Sequence, residues 1–215
     1  MDLQYLQQAI PDLLEGLRLT VLATLLGTAL ACGVGLIVAV IRVLDLAVLR
    51  NLVSGYVLFL RNTPLLIQLY FLFYVLPVGG IRLSGLAAGI VGIGLYFSTF
   101  ASEAYRAGFD SVPRGQWEAG RALNLSPFQT LRLVVLPQAL RPVIPALGNF
   151  LISIFKDSSL LATITVYELL GSAESLASFS FEYTTLFTAV GLTYLLLSYP
   201  SSLLVRRIET RLAVH

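Results

Sequence analysis

The chain has 215 residues, 57% of them hydrophobic and only 12% charged, with a mean hydropathy of +0.83 and a formal net charge of +2. A soluble domain carries roughly 25% charged residues. This composition therefore excludes a soluble enzyme, a disordered chain and a nucleic-acid binder, and leaves an integral membrane protein. The single cysteine, Cys32, excludes a disulfide framework or a thiolate metal cluster, and the single histidine, His215, is the last residue and a poor buried base. The first residues are acidic and polar (Asp2, Gln4, Gln7, Gln8, Asp12, Glu15), so no cleavable signal peptide is expected.

Five spans are predicted in chain order. Leu19–Ile41, Leu83–Ser102 and Tyr183–Val205 are free of charge and long enough for helices 1, 3 and 5, since a bilayer core of about 30 Å needs about 20 helical residues. Two further apolar runs are interrupted, at Arg61 between Asn51 and Ile81, and at Lys156-Asp157 between Pro142 and Tyr167. Neither interruption is polar enough for a loop, so they are read as helices 2 and 4 with charge inside or near the membrane.

Arginines set the orientation. One side carries Arg42, Arg50, Arg106, Arg114, Arg121, Arg132, Arg141, Arg206, Arg207 and Arg211. The other carries only Arg18 and Arg82, with Asp2, Asp12, Glu15, Glu168, Glu174 and Glu182. The positive-inside rule puts the N-terminus outside, the C-terminus in the cytoplasm, and the long loop between helices 3 and 4 in the cytoplasm. Within that loop, Gln116–Leu123 forms a short helix. Asn124 ends it, because Asn tolerates the left-handed region second only to Gly. Ser126 is the next N-cap, Pro127 the first helical residue, and Gln129 closes a capping box; the following helix runs to Pro137.

The run Glu118-Ala119-Gly120, three residues, Asn124, nine residues, then Val134-Val135-Leu136-Pro137 resembles the EAA loop of permease subunits of ATP-binding cassette importers. The departures from that pattern are Gly120 for Ala, Asn124 for Gly and Val134 for Ile. Phe59–Gln68, Glu103-Ala-Tyr-Arg-Ala-Gly108 and Lys156-Asp-Ser-Ser-Leu160 resemble the polar amino acid group (histidine, glutamate, glutamine, arginine) of that family. The resemblance implies an all-α type I importer permease, a single transmembrane domain over residues 1–215. Residues 106–141 would be a coupling loop, docking through Glu118, Ala119, Gly120, Asn124, Leu136 and Pro137. It implies the bacterial inner membrane, a second permease subunit (identical or homologous), two cytosolic ATPase subunits and an extracytoplasmic amino acid-binding protein. ATP and Mg would belong to the ATPase partner. The sequence agrees on that point: a P-loop needs Gly-Lys-Ser/Thr, and the only lysine, Lys156, follows Phe155.

Intramembrane charge asks for a reason, because insertion of an ionisable group costs at least about 2.5–3.5 kcal/mol. Lys156 and Asp157 either line the substrate path, meeting the carboxylate and ammonium of a zwitterion, or form a structural pair with Arg61. Ser158 extends the polar stretch. Tyr96 and Ser98 are path candidates because, in the family, this part of helix 3 helps line the substrate site; interhelical hydrogen bonding is the other reading. Arg61 is a further path candidate, although the carbonyls freed at Pro64 offer it a structural role. The runner-up function is an ion- or proton-coupled secondary transporter using Lys156, Asp157 and Glu103 as a relay. Metal-dependent intramembrane chemistry lacks its ligands.

Overall fold

The structure, a computed structural model, describes residues 3–43 and 47–213. Asp2 and His215 lie outside the described residues. Nine α-helices, joined in places by tighter or wider turns, make up the described chain: α1 Leu3–Val43, α2 Ala47–Asn62, α3 Leu65–Tyr70, α4 Gly85–Asp110, α5 Arg114–Ala122, α6 Pro127–Thr130, α7 Leu136–Asp157, α8 Leu169–Ser180 and α9 Tyr183–Ala213.

Four helical stretches are long and apolar enough to span a bilayer, and a bent pair makes up to five. Helix α4 is the axis of the bundle, packed on α1 and α7. Close approach of α1 depends on Gly35, where a Cβ would lie 2.7 Å from Ala101 Cβ and 2.8 Å from Ser98 O. The central core gathers Ala23, Leu65, Leu69, Ile93, Phe97, Ile154, Leu161 and Ile164. Helix α1 is about 60 Å long at 1.5 Å per residue, twice the bilayer core. Its N-terminal part meets α8 and α9 in a second core around Ala9, Leu169, Ala173 and Leu186. We call this the far end, and the end carrying α5 and α6 the loop end.

Helix 2 differs from the expected single rod. Its halves, Val48–Asn62 and Leu65–Gly79, meet at 106°. Pro64 cannot donate to Leu60 O and the chain turns there. The Gln68 side chain donates instead, through Nε2, to Leu60 O at 2.8 Å and to Thr63 O at 2.9 Å. Beyond α3 the chain widens into a π turn over Phe71–Val75 and ends in a 3₁₀ turn, Leu76–Gly79.

Helix 4 differs at both ends. Pro137 does not stop the preceding helix. A π turn at Leu131–Val135 leads into α7, with Pro137 in its first turn, so one helical stretch runs Pro127–Ile164. Widening the turn there relieves the clash of the proline ring with the carbonyl four residues back. At the other end α7 stops at Asp157, and a 3₁₀ segment, Ser158–Ile164, ends at Thr165 in the left-handed region (φ 65°). Ser158, Ser159 and Thr163 each donate to the carbonyl three residues back. The expected span to Tyr167 is therefore not continuous α-helix. Helix α8 was not foreseen from the sequence.

Candidate functional site

Two regions carry the sequence-derived candidates. The first is the knob at the loop end. Helix α5 closes as a Schellman motif: Leu125 N–H donates to Gly120 O at 3.1 Å and Asn124 N–H to Arg121 O at 2.9 Å. Asn124 sits at φ 54°, in the left-handed region. The capping box forms as the spacing predicts. Gln129 N–H donates to Ser126 Oγ at 3.2 Å, and Ser126 N–H to Gln129 Oε1 at 2.9 Å. Gly120 is buried against Thr130, whose side chain occupies the space a Cβ would need.

Trp117 holds the knob to the bundle by packing among Phe109, Val112, Leu131, Val135 and Ala139. Gln138 Nε2 adds a hydrogen bond to Gln116 Oε1 at 3.2 Å. Leu136 is half-buried in the following helix and Pro137 exposed. Glu118 and Ala119 face outward with Leu123 (72% exposed) and Phe128 (67%). The two-helix unit thus exposes a carboxylate, Glu118, and two apolar side chains, Leu123 and Phe128.

Behind the knob, Arg42 Nη1 of α1 pairs with Glu103 Oε1 of α4 at 2.6 Å, and Arg106 pairs with Glu103 Oε2 at 2.7 Å. Glu103 therefore serves as a tie between α1 and α4 at the loop end.

The second region is a cavity of about 300 Å³ between α4 and α7, lined by Tyr96, Phe97, Phe100, Phe150, Ser153, Lys156 and Asp157. This lies at the lower bound of the range for small-molecule sites, roughly 300–1,000 Å³. Tyr96, Phe100 and Phe150 form its aromatic wall, with ring centroids 5.3 Å (Tyr96–Phe100) and 6.2 Å (Phe100–Phe150) apart. Among the described residues no ion pair joins Lys156 to Asp157. Both charges stay available to something in the cavity.

Of the six path candidates, Tyr96, Lys156 and Asp157 meet here. Ser98, Ser158 and Arg61 do not line the cavity. Ser98 is fully buried, donating to Leu95 O at 2.6 Å and bonded to the Tyr56 hydroxyl at 2.8 Å. Ser158 is fully buried against Phe155 O. Arg61 donates to Thr99 O at 2.7 Å and lies 4.7 Å over the Phe100 ring, so it braces α2 on α4 and backs the aromatic wall. Phe97, Phe100, Phe150 and Ser153 are lining residues that the sequence reading missed. Position 153, one turn before Asp157 on the same helix face, was the available signal.

Comparison with known proteins gives a consistent result. Residues 31–214 match the family described as "Binding-protein-dependent transport system inner membrane component". The chain is 39% identical over 211 residues to a probable amino-acid ABC transporter permease protein, y4tG, of Sinorhizobium fredii, covering 98% of this chain and 91% of that one. It is 37% identical to a probable glutamine ABC transporter permease protein, GlnM, of Bacillus subtilis, covering 93% and 92%. A crystal structure of an amino acid ABC transporter with histidines matches with a TM-score of 0.91 at 27% identity, covering 98% of this chain and 99% of that chain.

Proposed function

This chain belongs to the family of binding-protein-dependent transport system inner membrane components, and from that premise we propose that it forms the path by which a polar amino acid, or a close analogue, enters the cell. It is a permease subunit of an ABC importer, and it works in a complex with the other components of that importer. The observation that carries the substrate class is the cavity holding an ammonium, a carboxylate and an aromatic wall. A zwitterion leaving water loses solvation at both ends, and a protein route must replace it at both. Lys156 meets the carboxylate, Asp157 meets the ammonium, and Tyr96, Phe100 and Phe150 cover the remainder.

The loop end faces the cytoplasm in this reading, and the far end meets a binding protein that delivers the substrate. Glu118 and its exposed apolar neighbours dock in one of two ATPase subunits, and a second permease chain completes the path. ATP and Mg are handled by those ATPase subunits. The relay reading is less well supported, because Glu103 is engaged by Arg42 and Arg106 rather than placed with Lys156 and Asp157.

Co-purification from native membranes tests the assembly. It should bring down an ATPase and a second permease chain together, and saturation binding of labelled amino acids should then rank zwitterions with polar side chains first. A chain that purifies alone and binds no amino acid would contradict the proposal.

A further inference from the structure

Glu168 is fully buried, and neither the cavity nor the knob uses it. Its carboxylate joins α1, at the start of the chain, to α8 and α9 near its end. Oε1 accepts from the Gly171 N–H at 2.8 Å, which caps α8. Oε2 accepts from the Thr20 hydroxyl of α1 at 3.1 Å and from the Tyr194 hydroxyl of α9 at 3.0 Å. Thr20 Oγ1 in turn accepts from the Leu169 N–H at 3.1 Å. Helix α1 comes this close because Gly16 lacks a Cβ; one there would lie 2.6 Å from Ser172 Oγ and 2.9 Å from Glu168 O. Donors converging on one buried carboxylate are the strong kind of hydrogen bond, and each loss leaves a charged group under-solvated.

This junction reaches the cavity by two routes. Along the chain, the 3₁₀ segment Ser158–Ile164 and the left-handed Thr165 separate Asp157 from Glu168. Through space, the Tyr194 ring packs on Phe155 at 5.2 Å between centroids, and Phe155 immediately precedes Lys156. We propose that Glu168 is a positioning residue for transport: it clamps α1, α8 and α9 together and, through Tyr194 and the 3₁₀ segment, fixes where Lys156 and Asp157 stand in the cavity. The proposal rests on reading that cavity as the amino acid path.

The test uses the assembled complex in lipid nanodiscs. Cys32→Ala removes the native thiol, and Ser153→Cys reports from the cavity wall. The rate of maleimide labelling is measured with and without L-glutamine as probe. Glu168→Gln and Tyr194→Phe should each change the Ser153→Cys rate by about tenfold, the order that loss of one hydrogen bond to a charged group permits. The double variant should go no further than the larger single one, because the two act through one contact. A thiol placed by Asn51→Cys, exposed on α2 and outside both the docking residues and the clamp, should label at its parental rate throughout.

A shift at both thiols alike would indicate general loosening and overturn the proposal, as would unchanged labelling of Ser153→Cys. Should Glu168→Gln fail to assemble, Tyr194→Phe (which keeps the ring on Phe155) and Thr20→Val decide by the same rates. Absence of glutamine protection at Ser153→Cys in the parent contradicts the path reading alone. The clamp is then judged on the labelling rates.

Discussion

Gln68 supplies Leu60 with the hydrogen bond that Pro64 cannot. The two side-chain bonds, to Leu60 O at 2.8 Å and Thr63 O at 2.9 Å, let the backbone turn through 106° within the apolar bundle. Irregular backbone at membrane depth survives only where its polar groups are satisfied by protein or water.

Gln68→Leu keeps the volume and removes both donors. It should lower the stability of the assembled complex by about 1–3 kcal/mol, the cost of a buried unpaired acceptor. Gln68→Glu should destabilise as well, since an ionised carboxylate cannot donate. Thermal unfolding of the purified complex measures this; a melting temperature unchanged in Gln68→Leu would show that water already serves those carbonyls.

Asn124 is held in the left-handed region at φ 54°. Asn124→Gly should assemble and transport as the parent does. Asn124→Val places a β-branched residue where the left-handed conformation costs about 1–2 kcal/mol even for ordinary residues, and should impair assembly with the ATPase. Equal behaviour of the two variants in co-purification would remove the turn from the account.

Lys156 and Asp157 should be separable by substrate charge. In complexes shown to be assembled, Lys156→Met should weaken uptake of acidic and neutral amino acids more than of basic ones. Asp157→Asn should weaken uptake of every amino acid, through the shared ammonium. Competition uptake with acidic, neutral and basic amino acids reads the ranking. Full transport with unchanged ranking in both variants would eliminate the binding role.

Arg42 and Glu103 join α1 to α4 by a half-buried pair at 2.6 Å. Arg42→Met leaves Glu103 its partner Arg106, so the carboxylate stays paired and a loss of about 1 kcal/mol is expected. Glu103→Gln removes the shared partner of both arginines and should cost more. A melting series over the two single variants and the double one checks the order.

What was legible in the sequence is what local chemistry decides. The long apolar runs, the capping box at Ser126 and Gln129, and the αL stop at Asn124 depend on neighbours a few residues away. The elements that were missed depend on distant ones. Helix α8 is capped by Glu168, whose partner Thr20 lies 148 residues earlier. The corner at Pro64 rests on a glutamine that looks unremarkable within an apolar run. Hydropathy also gives depth without azimuth. Tyr96 and Ser98 lie at similar depth, yet two residues along a helix turn about 200°, and only Tyr96 reaches the cavity. Ser158 is one residue past Asp157 and points into the protein interior, beyond the point where α7 gives way to 3₁₀ geometry.

In the proposed function, this chain offers the path while its motion comes from a separate ATPase docked at the α5 knob. The direct measurement is uptake of a labelled polar amino acid into proteoliposomes holding the purified complex and its binding protein, with and without ATP inside or outside as orientation requires, for the parent and for Glu118→Lys. Glu118 is exposed and lies outside the apolar cluster that holds the knob, so Glu118→Lys should insert and fold normally. Uptake is expected only with ATP in the parent, and not at all in Glu118→Lys despite normal membrane insertion. Uptake that proceeds without ATP, or that Glu118→Lys leaves intact, would contradict the proposed function.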